Sequence, residues 1–482
     1  MFGLFSFSMR VIYVLIIFSV SSIYSQAPFA EGFLDTQKDG PCLTDEERQT
    51  IKSQLKKRIA ELKQAGKLTI LEKNTTVLYD WPVKVAAGLD AYAVHAVSFF
   101  VDHDNDSNEL QDYECGNRTY DSGSYDHQGT DYYTWPFSWY KMDNDHAEVV
   151  AAADGVIIEK FTGRDDRSCD LNGSQWNAVY LMHADTSVTW YGHLKKGSVT
   201  TKDVGDTVSV GEYLGIIGSS GNSTGPHLHF EVYDSDDELV DPYYGPCNEF
   251  NNDTLWIEQR PYEDSAINAL MTHSAPPEFP SCPDQEILNE KDFFLAGEEA
   301  FFAAYYRDHL RDQVTDFEII QPDSTVFQSW SHSPTRRFRS GSYYMWSYIM
   351  PFNAQSGTWT FRATFLGEVY EKTFLVPILT DVQNENDILP ERSELQQNYP
   401  NPFNPETTIA YRLEKSSKVR LTIFNLLGEE VRSLIRVNQS AGDYQVNWNG
   451  RDNTGSIVGS GTYLFRLETD TYNETRQMIF LK

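Results

Sequence analysis

The chain has 482 residues, of which 40% are hydrophobic and 14% aromatic, and its formal net charge is −31. A chain of this length is too long for a single hydrophobic core, so we expect about three domains. The aromatic content favours folded, β-rich modules over disorder. So acidic a surface repels nucleic acid and anionic lipid, which excludes both from the expected partners.

The N-terminus has the pattern of a signal peptide spanning residues 1–25. Arg10 precedes an apolar run, Val11–Val20, and small residues follow as far as Ser25. A positive residue, a short apolar run and a small-residue cleavage site are typical of secreted proteins. The run is shorter than the roughly 20 residues that cross a bilayer. We therefore expect no membrane span after cleavage, and a secreted or cell-surface protein.

The cysteines indicate an oxidising compartment. There are five, at positions 42, 115, 169, 247 and 282. None are spaced as Cys-x-x-Cys, so a cysteine zinc cluster is not expected. Because the number is odd, the sequence predicts one or two disulfides and at least one unpaired thiol, and it leaves the pairing open.

An amphipathic helix is predicted within the N-terminal segment, 26–119. Thr44 and Glu47 have the spacing of a capping box. Apolar residues then recur at helical spacing, and Gly66 ends the run. These apolar residues are Ile51, Leu55, Ile59 and Leu62. Strand-like segments follow at 75–79 and 92–101.

The next region, 120–274, is dense in β signals. Short strand-like runs are broken by Gly, Asp and Asn. The runs are Val149–Ala152, Gly155–Glu159, Ala178–Met182 and Val188–Tyr191. This region also carries the motifs described below.

Two β-sandwich, immunoglobulin-like modules are predicted to follow. A Pro-rich stretch at 275–280 marks a boundary. In 285–377, residues 358–364 alternate between apolar and polar as a half-buried strand does. This module shows no catalytic constellation and is interpreted as a spacer or binding module. A polar stretch at 380–387 leads to the last module, 391–482, where glycines separate alternating strands.

Four histidines lie in Gly-rich or strand-like contexts: His127, His193, His227 and His229. The segment Gly221–Val232 reads as a turn followed by a strand that starts at His227. Residues i and i+2 of a strand face the same side, so His227 and His229 project together. Two imidazoles on one face suit a metal ligand and a proton-transfer partner.

A second motif is His127-Gln-Gly129-Thr-Asp131. A histidine and a carboxylate four residues apart can bind one ion if the backbone turns between them, which Gly129 permits. A second histidine from elsewhere would complete three protein ligands and leave the fourth position open, as in catalytic zinc sites. A third motif, Tyr-Gly-His193-Leu, ends a strand-like run.

In order and separation, these motifs resemble the lysostaphin-like (LytM-type) zinc endopeptidases over about a quarter of the chain. The matching segments are His-x-Gly-x-Asp, Ala-Ala-Ala-Asp-Gly-Val, Tyr-Gly-His-Leu and Gly-Asn-Ser-Thr-Gly-Pro-His-Leu-His-Phe-Glu-Val. The resemblance implies a mainly β fold with an antiparallel-sheet peptidase domain at 120–274, after an N-terminal helix-containing segment. It also implies Zn²⁺ as cofactor. A longer aromatic and acidic stretch than the family usually has, 132–150, is expected to line the groove.

The resemblance also assigns the site residues. It makes His127, Asp131 and His229 the metal ligands, and His193 and His227 the catalytic acid/base residues. Which histidine is the base and which is the acid stays open.

The last module carries a second resemblance. The segment Asn398–Pro405, followed by Thr407-Thr408-Ile409 and a Gly-punctuated sandwich, resembles the C-terminal sorting domain of the type IX secretion system of Bacteroidetes. It implies export across the outer membrane by that machinery. The alternative is an ordinary immunoglobulin-like module.

Three functions are compatible with this reading. The first is hydrolysis of peptide bonds in peptidoglycan, which after export would belong to other cells. The second is degradation of extracellular proteins, for instance glycine-rich ones. The third is a non-catalytic wall-binding scaffold, which the presence of the complete set of site residues disfavours. The sequence leaves the choice between wall and protein substrates open.

Overall fold

The computed structural model describes residues 28–33, 42–68, 76–89, 91–104, 109–120, 126–171, 175–377, 392–453 and 456–481. The predicted signal peptide and the polar stretch at 380–387 lie outside these residues. Within the described ranges, no helix combines the length and hydropathy that crossing a bilayer requires. The strands among these described residues pair antiparallel into six sheets, which confirms the predicted mainly β fold.

The predicted N-terminal helix is confirmed as α1 (Asp45–Gln64). Its capping box is formed, since the Thr44 hydroxyl accepts from the Glu47 amide at 3.3 Å and the Glu47 carboxylate accepts from the Thr44 amide at 2.8 Å. The buried face of α1 packs against aromatic side chains on the outer side of the peptidase sheet. This cluster includes Ile51, Leu55 and Leu62 of the helix and Tyr180, Trp190 and Tyr233 of the sheet.

The peptidase region contains two sheets around one core. Its elements are β2 (Val83–Val85), β3 (His95–Phe99), β4 (Thr130–Thr134), α2 (Ser138–Asp143), β5 (Ala147–Val150), β6 (Gly155–Phe161), β7 (Ala178–Met182), β8 (Val188–Gly192), β9 (Thr207–Val208), β10 (Tyr213–Ile216), β11 (His227–Tyr233) and β12 (Leu239–Val240). The larger sheet has the order β3-β4-β11-β8-β7-β6-β9, with β12 on β11, and the smaller has the order β10-β5-β2. The four strand-like runs predicted in this region correspond to β5, β6, β7 and β8.

Two segments before residue 120 also join this region. The predicted strand at 92–101 contains β3, which pairs with β4. Of the predicted strand at 75–79, residue 75 lies outside the described residues, and the rest forms a single bridge from Tyr79 to Trp256.

The first sandwich is built from two four-stranded sheets. Its strands are β1 (Ala30–Phe33), β13 (Ala266–His273), β14 (Glu299–Leu310), β15 (Thr315–Ile320), β16 (Val326–His332), β17 (Phe338–Ile349), β18 (Gly357–Phe365) and β19 (Glu368–Val376). The sheet orders are β1-β17-β14-β13 and β16-β15-β18-β19. The sandwich therefore begins with β13, upstream of the Pro-rich stretch, and takes its edge strand β1 from the N-terminus.

The C-terminal module is a second sandwich with its own core. Its strands are β20 (Glu394–Leu395), β21 (Thr407–Leu413), β22 (Ser417–Phe424), β23 (Glu430–Gln439), β24 (Gly442–Trp448), β25 (Gly461–Glu468) and β26 (Asn473–Phe480). The sheet orders are β20-β21-β24 and β23-β22-β25-β26. Leu421, Trp448 and Phe465 are fully buried between the sheets.

The peptidase region and the first sandwich share a buried aromatic cluster. Tyr133, Trp135 and Phe137 of the stretch 132–150 pack against Phe301 and Tyr305 of the sandwich. These aromatic residues form the contact between the domains, so they do not line the groove as expected. A buried ion pair, Arg118 to Asp308 at 2.7 Å, lies in the same region.

All five cysteines lie within the described residues. Cys115 pairs with Cys247, Cys169 pairs with Cys282, and Cys42 is left as a buried free thiol. This confirms the predicted mixture of disulfides and an unpaired thiol.

Candidate metal centre and active site

Three antiparallel strands bring the motifs together at the middle of the larger sheet. On β11, His229 lies directly opposite Asp131 of β4 and opposite Gly192 of β8. Residues directly opposite each other in a sheet point to the same face, a few ångströms apart. The pairing register therefore places the Asp131 carboxylate beside the His229 ring and the end of β8 next to both.

His127, Asp131 and His229 converge on one point. His127 Nε2 lies 3.4 Å from His229 Nδ1 and 3.5 Å from Asp131 Oδ1. Donor atoms held 2.0–2.1 Å from a tetrahedral zinc ion lie about 3.3–3.4 Å apart, so both separations fit. The third, His229 Nδ1 to Asp131 Oδ1, is 2.7 Å, a hydrogen-bond distance that metal binding would have to lengthen.

The chemistry of this donor set fits a zinc ion. All three side chains are fully buried, and two imidazoles with one carboxylate are a known catalytic zinc ligand set. Asp131 Oδ2 is buried, with no hydrogen-bond partner among the described residues. A buried carboxylate oxygen without a hydrogen-bond partner destabilises the folded protein unless a cation compensates its charge.

Gly129 is required by the close approach of the His127–Asp131 turn to the sheet. A Cβ atom at this position would lie 2.8 Å from the ring of His229 and 2.8 Å from the Phe230 carbonyl oxygen. Gly129 was predicted because it allows a turn. The structure shows a second reason, since any larger residue would clash with the candidate ligand His229.

Outer contacts fix which ring nitrogen each candidate ligand presents. His127 Nδ1 donates to the Phe100 carbonyl at 2.6 Å, which leaves Nε2 as the donor atom toward the site. His229 Nε2 donates to Glu231 Oε1 at 2.7 Å, which leaves Nδ1. Such partners orient metal-binding histidines and set their tautomers. Sequence reasoning assigned no function to Glu231, although it lies two residues beyond His229 on the same strand face.

Both buried carboxylates of the site are held ionised. Burial alone raises the pKa of Asp131, but the neighbouring His127 and His227 lower it by more. The pKa of this carboxyl therefore lies well below its ordinary value. Burial also raises the pKa of Glu231, and the Arg48 guanidinium with the His229 ring more than offsets this and lowers it. Ionised carboxylates are what a cation and an imidazole N–H require as partners.

His193 and His227 lie beside the three candidate ligands. His193 Nδ1 donates to the Ser220 carbonyl at 2.6 Å, and His227 Nδ1 donates to the Gly225 carbonyl at 2.8 Å. Their ring centroids are 4.3 Å apart, and His227 Nε2 lies 3.7 Å from Asp131 Oδ1. Both rings therefore present Nε2 at the edge of the candidate metal centre, where a proton could be taken up or released.

His193 adopts a left-handed backbone conformation, with φ at +61°. This conformation is strained for a residue with a Cβ, by about 1–3 kcal/mol, and such strain concentrates at functional sites. Strand β8 ends at Gly192, and the conformation of the next residue turns the imidazole toward His227.

With this geometry, the matches to known proteins can be placed on the structure. Residues 137–242 match Peptidase family M23, and residues 402–473 match the FlgD Ig-like domain. The chain carries an M23 peptidase domain. M23 is a family of zinc metallopeptidases. The match contains His193, His227 and His229, whereas His127 and Asp131 lie just before its first residue.

Three curated relatives match part of this chain. DD-carboxypeptidase/endopeptidase Mpg of Neisseria meningitidis serogroup B is 43% identical over 84 residues, which are 17% of this chain and 16% of the relative. Peptidoglycan DD-endopeptidase ShyC of Vibrio cholerae serotype O1 is 35% identical over 105 residues, 22% of this chain and 19% of the relative. Glycyl-glycine endopeptidase ALE-1 of Staphylococcus capitis is 38% identical over 84 residues, which are 17% of this chain and 20% of the relative. The chain thus spans at most about a fifth of these relatives.

Helix α1 is tied to the M23 domain by a buried charge network. Arg48 forms an ion pair with Glu231, the carboxylate that orients His229. Tyr233 accepts from Arg48 at 2.7 Å and donates to Glu231 at 2.7 Å. The helix therefore supports the outer contacts of a candidate metal ligand, a connection that links residues 183 positions apart.

Replacing Arg48 by methionine is expected to lower the free energy of unfolding of the M23 domain by about 3–5 kcal/mol, because it leaves Glu231 charged and buried without its main counter-ion. Calorimetric unfolding measures this change. Arg58→Met is the matched control, since Arg58 pairs with Glu159 at 3.1 Å on the exposed side of the same helix. Its loss should change the stability by at most about 1 kcal/mol. Equal effects of the two substitutions would contradict the prediction.

The structure brings a sixth side chain to the site, Cys42, which sequence reasoning missed. Its sulfur lies within 4.8 Å of donor atoms of Asp131 and His229, and also of His193 and His227. The odd cysteine count was the available signal, but it did not locate the unpaired thiol.

A cleft of 610 Å³ lies beside the segment that follows Ser220, and none of the five candidate site residues lines it. Its walls include Arg164, Arg167 and Gly221, and Gly221 directly follows Ser220, the residue that accepts the His193 hydrogen bond.

Proposed function

We propose that this protein is a secreted, zinc-dependent endopeptidase that hydrolyses peptide bonds in the peptidoglycan of other cells. The observation that carries the proposal is the convergence of His127, Asp131 and His229 with His193 and His227 in one buried site. The names of two relatives, which describe endopeptidases acting on DD bonds and in one case on peptidoglycan, support the substrate class.

In this proposal, His127 Nε2, Asp131 and His229 Nδ1 hold the zinc ion. A zinc ion bound there supplies Lewis acidity, which polarises the scissile carbonyl and acidifies the attacking water. Glu231 and the Phe100 carbonyl keep the two imidazoles in the tautomers that this requires.

His193 and His227 supply the proton transfers and hold the developing oxyanion. Each ring is anchored through Nδ1 to a backbone carbonyl, so Nε2 is the atom that accepts or gives the proton. One histidine takes the proton of the attacking water, and a protonated ring stabilises the oxyanion and protonates the leaving amine. Either histidine can serve as the base in this scheme.

A second candidate substrate is a glycine-rich peptide, because one relative is named as a glycyl-glycine endopeptidase. The test is to incubate the full chain with three substrates: sacculi with direct DD cross-links, sacculi with oligoglycine cross-bridges, and a glycine-rich protein. Mass spectrometry of the products identifies the bond cut. Release of peptides at DD cross-links supports the first proposal, and cleavage between glycines supports the second. With His227→Ala as the inactive control, no cleavage of any of the three substrates would contradict both.

We further propose that residues 391–482 address the protein to the type IX secretion machinery. The Asn398–Pro405 segment supports this proposal, as does a module core that draws on no residue outside the module. The match to the FlgD Ig-like domain fits both a sorting domain and an ordinary immunoglobulin-like module.

A chain that ends at Val376 should hydrolyse its substrate as fast as the full chain but accumulate in the periplasm of the native host. A module with its own core can be removed without opening its neighbours. Fractionation of the host and assay of the purified protein measure the two effects. Normal export of the shortened chain would argue for a binding module, and loss of activity would argue that the module contributes to the groove.

A further inference from the structure

Cys42 lies at the centre of the candidate metal site although it is remote from the motifs in sequence. Its sulfur is within 4.8 Å of ligand atoms of Asp131 and His229, and within the same distance of ring nitrogens of His193 and His227. The side chain is 2% exposed. The thiol thus lies between the proposed metal ligands and the proposed acid/base pair, where a substrate carbonyl and the attacking water would have to bind.

The chain is anchored directly after Cys42, and the earlier strand β1 is paired separately with the sandwich. On its C-terminal side, Leu43 is buried in the cluster between α1 and the sheet, and the helix begins directly after Thr44. Arg48 in the first turns of the helix is paired with Glu231. On the N-terminal side, β1 is hydrogen-bonded along the edge of β17 in the sandwich. Cys42 is therefore held at the candidate site by the residues that directly follow it, Leu43 and α1.

We propose that the Cys42 thiolate is the fourth ligand of the zinc ion, so that the short segment Cys42–Thr44 before α1 keeps the enzyme latent until it is displaced. The inference rests on the proposed zinc site. Cysteine sulfur is a preferred zinc ligand, and a thiol that binds zinc gives up its proton to solvent. A closed set of four protein ligands is the form of an inactive site, since catalytic sites keep one position open.

Displacement of the segment restores the open position. The Zn–S bond breaks, the sulfur leaves with its electron pair and is reprotonated from solvent, and the water needed for hydrolysis takes its place. No oxidant or reductant is involved. Proteolysis that removes the segment before α1 would activate the enzyme. A bound substrate that displaces the segment from the zinc ion would activate it as well.

A purely structural reading of Cys42 makes a different prediction. The side chain also contacts Phe99 and Tyr120, and its sulfur lies 3.2 Å from the Tyr120 hydroxyl. A thiol that only fills this space would never bond to a metal. Direct detection of a metal–sulfur bond separates the two readings.

The experiment uses the full chain loaded with Co²⁺ in place of zinc. The unmodified protein should bind one cobalt ion and show a thiolate-to-cobalt charge-transfer band in the near ultraviolet. Cys42→Ala should bind cobalt without that band. Tyr120→Phe, which keeps the thiol and the ring but removes the hydroxyl, is the matched control and should keep the band.

Two further measurements support the same test. N-ethylmaleimide should label the buried Cys42 of the metal-free protein slowly, through transient opening of the site, and that of the zinc form more slowly still. Mass spectrometry of the unmodified chain measures the two rates, so this test needs no substitution. Cys42→Ala should hydrolyse sacculi on the order of tenfold faster than the unmodified chain, since activity scales with the fraction of molecules whose site is open.

Each outcome bears on one of the two proposals. Cobalt bound without a charge-transfer band in the unmodified protein would overturn the assignment of Cys42 and leave the zinc site intact. Equal N-ethylmaleimide labelling with and without metal would do the same. A band without faster hydrolysis by Cys42→Ala would overturn latency. Failure of both proteins to bind any metal would instead refute the proposed zinc site.

Discussion

Asp131→Ala is expected to lose most of the bound zinc and, with it, the hydrolytic activity. The carboxylate is the third ligand of the proposed set, and two imidazoles leave the site one ligand short. It is also the anionic group toward which His127, His227 and His229 converge, with Oδ1 at 3.5, 3.7 and 2.7 Å from their ring nitrogens. Metal analysis of the purified protein after dialysis measures the loss.

Thermal unfolding provides an independent measurement for the same substitution. A metal that binds the folded domain raises its apparent stability by mass action. A chelator should therefore lower the melting temperature of the unmodified protein and leave that of Asp131→Ala unchanged. Asp154→Ala, at a loop carboxylate that accepts from the Val210 amide at 2.7 Å, is the control and should keep both zinc and the chelator response. Full zinc occupancy in Asp131→Ala would show that the ligand assignment is wrong.

His193→Ala and His227→Ala are each expected to lower the hydrolysis rate by about 10²–10⁴-fold, the usual loss when an acid/base group is removed. Both variants should retain zinc, because neither ring belongs to the proposed ligand set. Hydrolysis of sacculi together with metal analysis of the same preparations separates the two effects.

The control for these substitutions is His183→Asn, at another buried histidine of the M23 domain. His183 is held by the Asp154 carbonyl at 2.9 Å and the Thr189 hydroxyl at 2.8 Å, away from the site. Burial lowers the pKa of His183, which favours its neutral form. This variant should retain zinc and most of the activity. Loss of zinc from either alanine variant would make that histidine a ligand, and near-full activity in both would reject the acid/base assignment.

Local features of the structure followed from the sequence. The capping box at Thr44 and Glu47 and the apolar spacing after it predicted α1, because both depend on neighbours within one or two turns. Short strand-like runs bounded by Gly, Asp and Asn predicted β7 and β8. The two-residue period of a strand placed His227 and His229 on one face of β11. The candidate site residues were found for the same reason, since each motif is short and continuous.

Features that depend on distant packing could not be read in this way. The partners in the disulfides are 132 and 113 residues apart, and the pairing depends on which loops the fold brings together. The assignment of β13 and β1 to the sandwich depends on strand pairing, because an alternating strand fits the edge of either domain equally well.

The sequence by itself determined the fold class, the helix and the main strands, because these depend on residue type and local periodicity. The candidate ligand and acid/base residues were assigned by the resemblance of short, continuous motifs to a known family. The tertiary structure decided what surrounds them. It placed Arg48 against Glu231, the carboxylate that orients His229, and it placed the unpaired Cys42 among the proposed ligands. No local pattern marks either residue, because each acts across more than 80 positions of chain through the packing of α1 on the sheet. The proposed control of the site therefore depends on how Cys42 and α1 pack onto the domain.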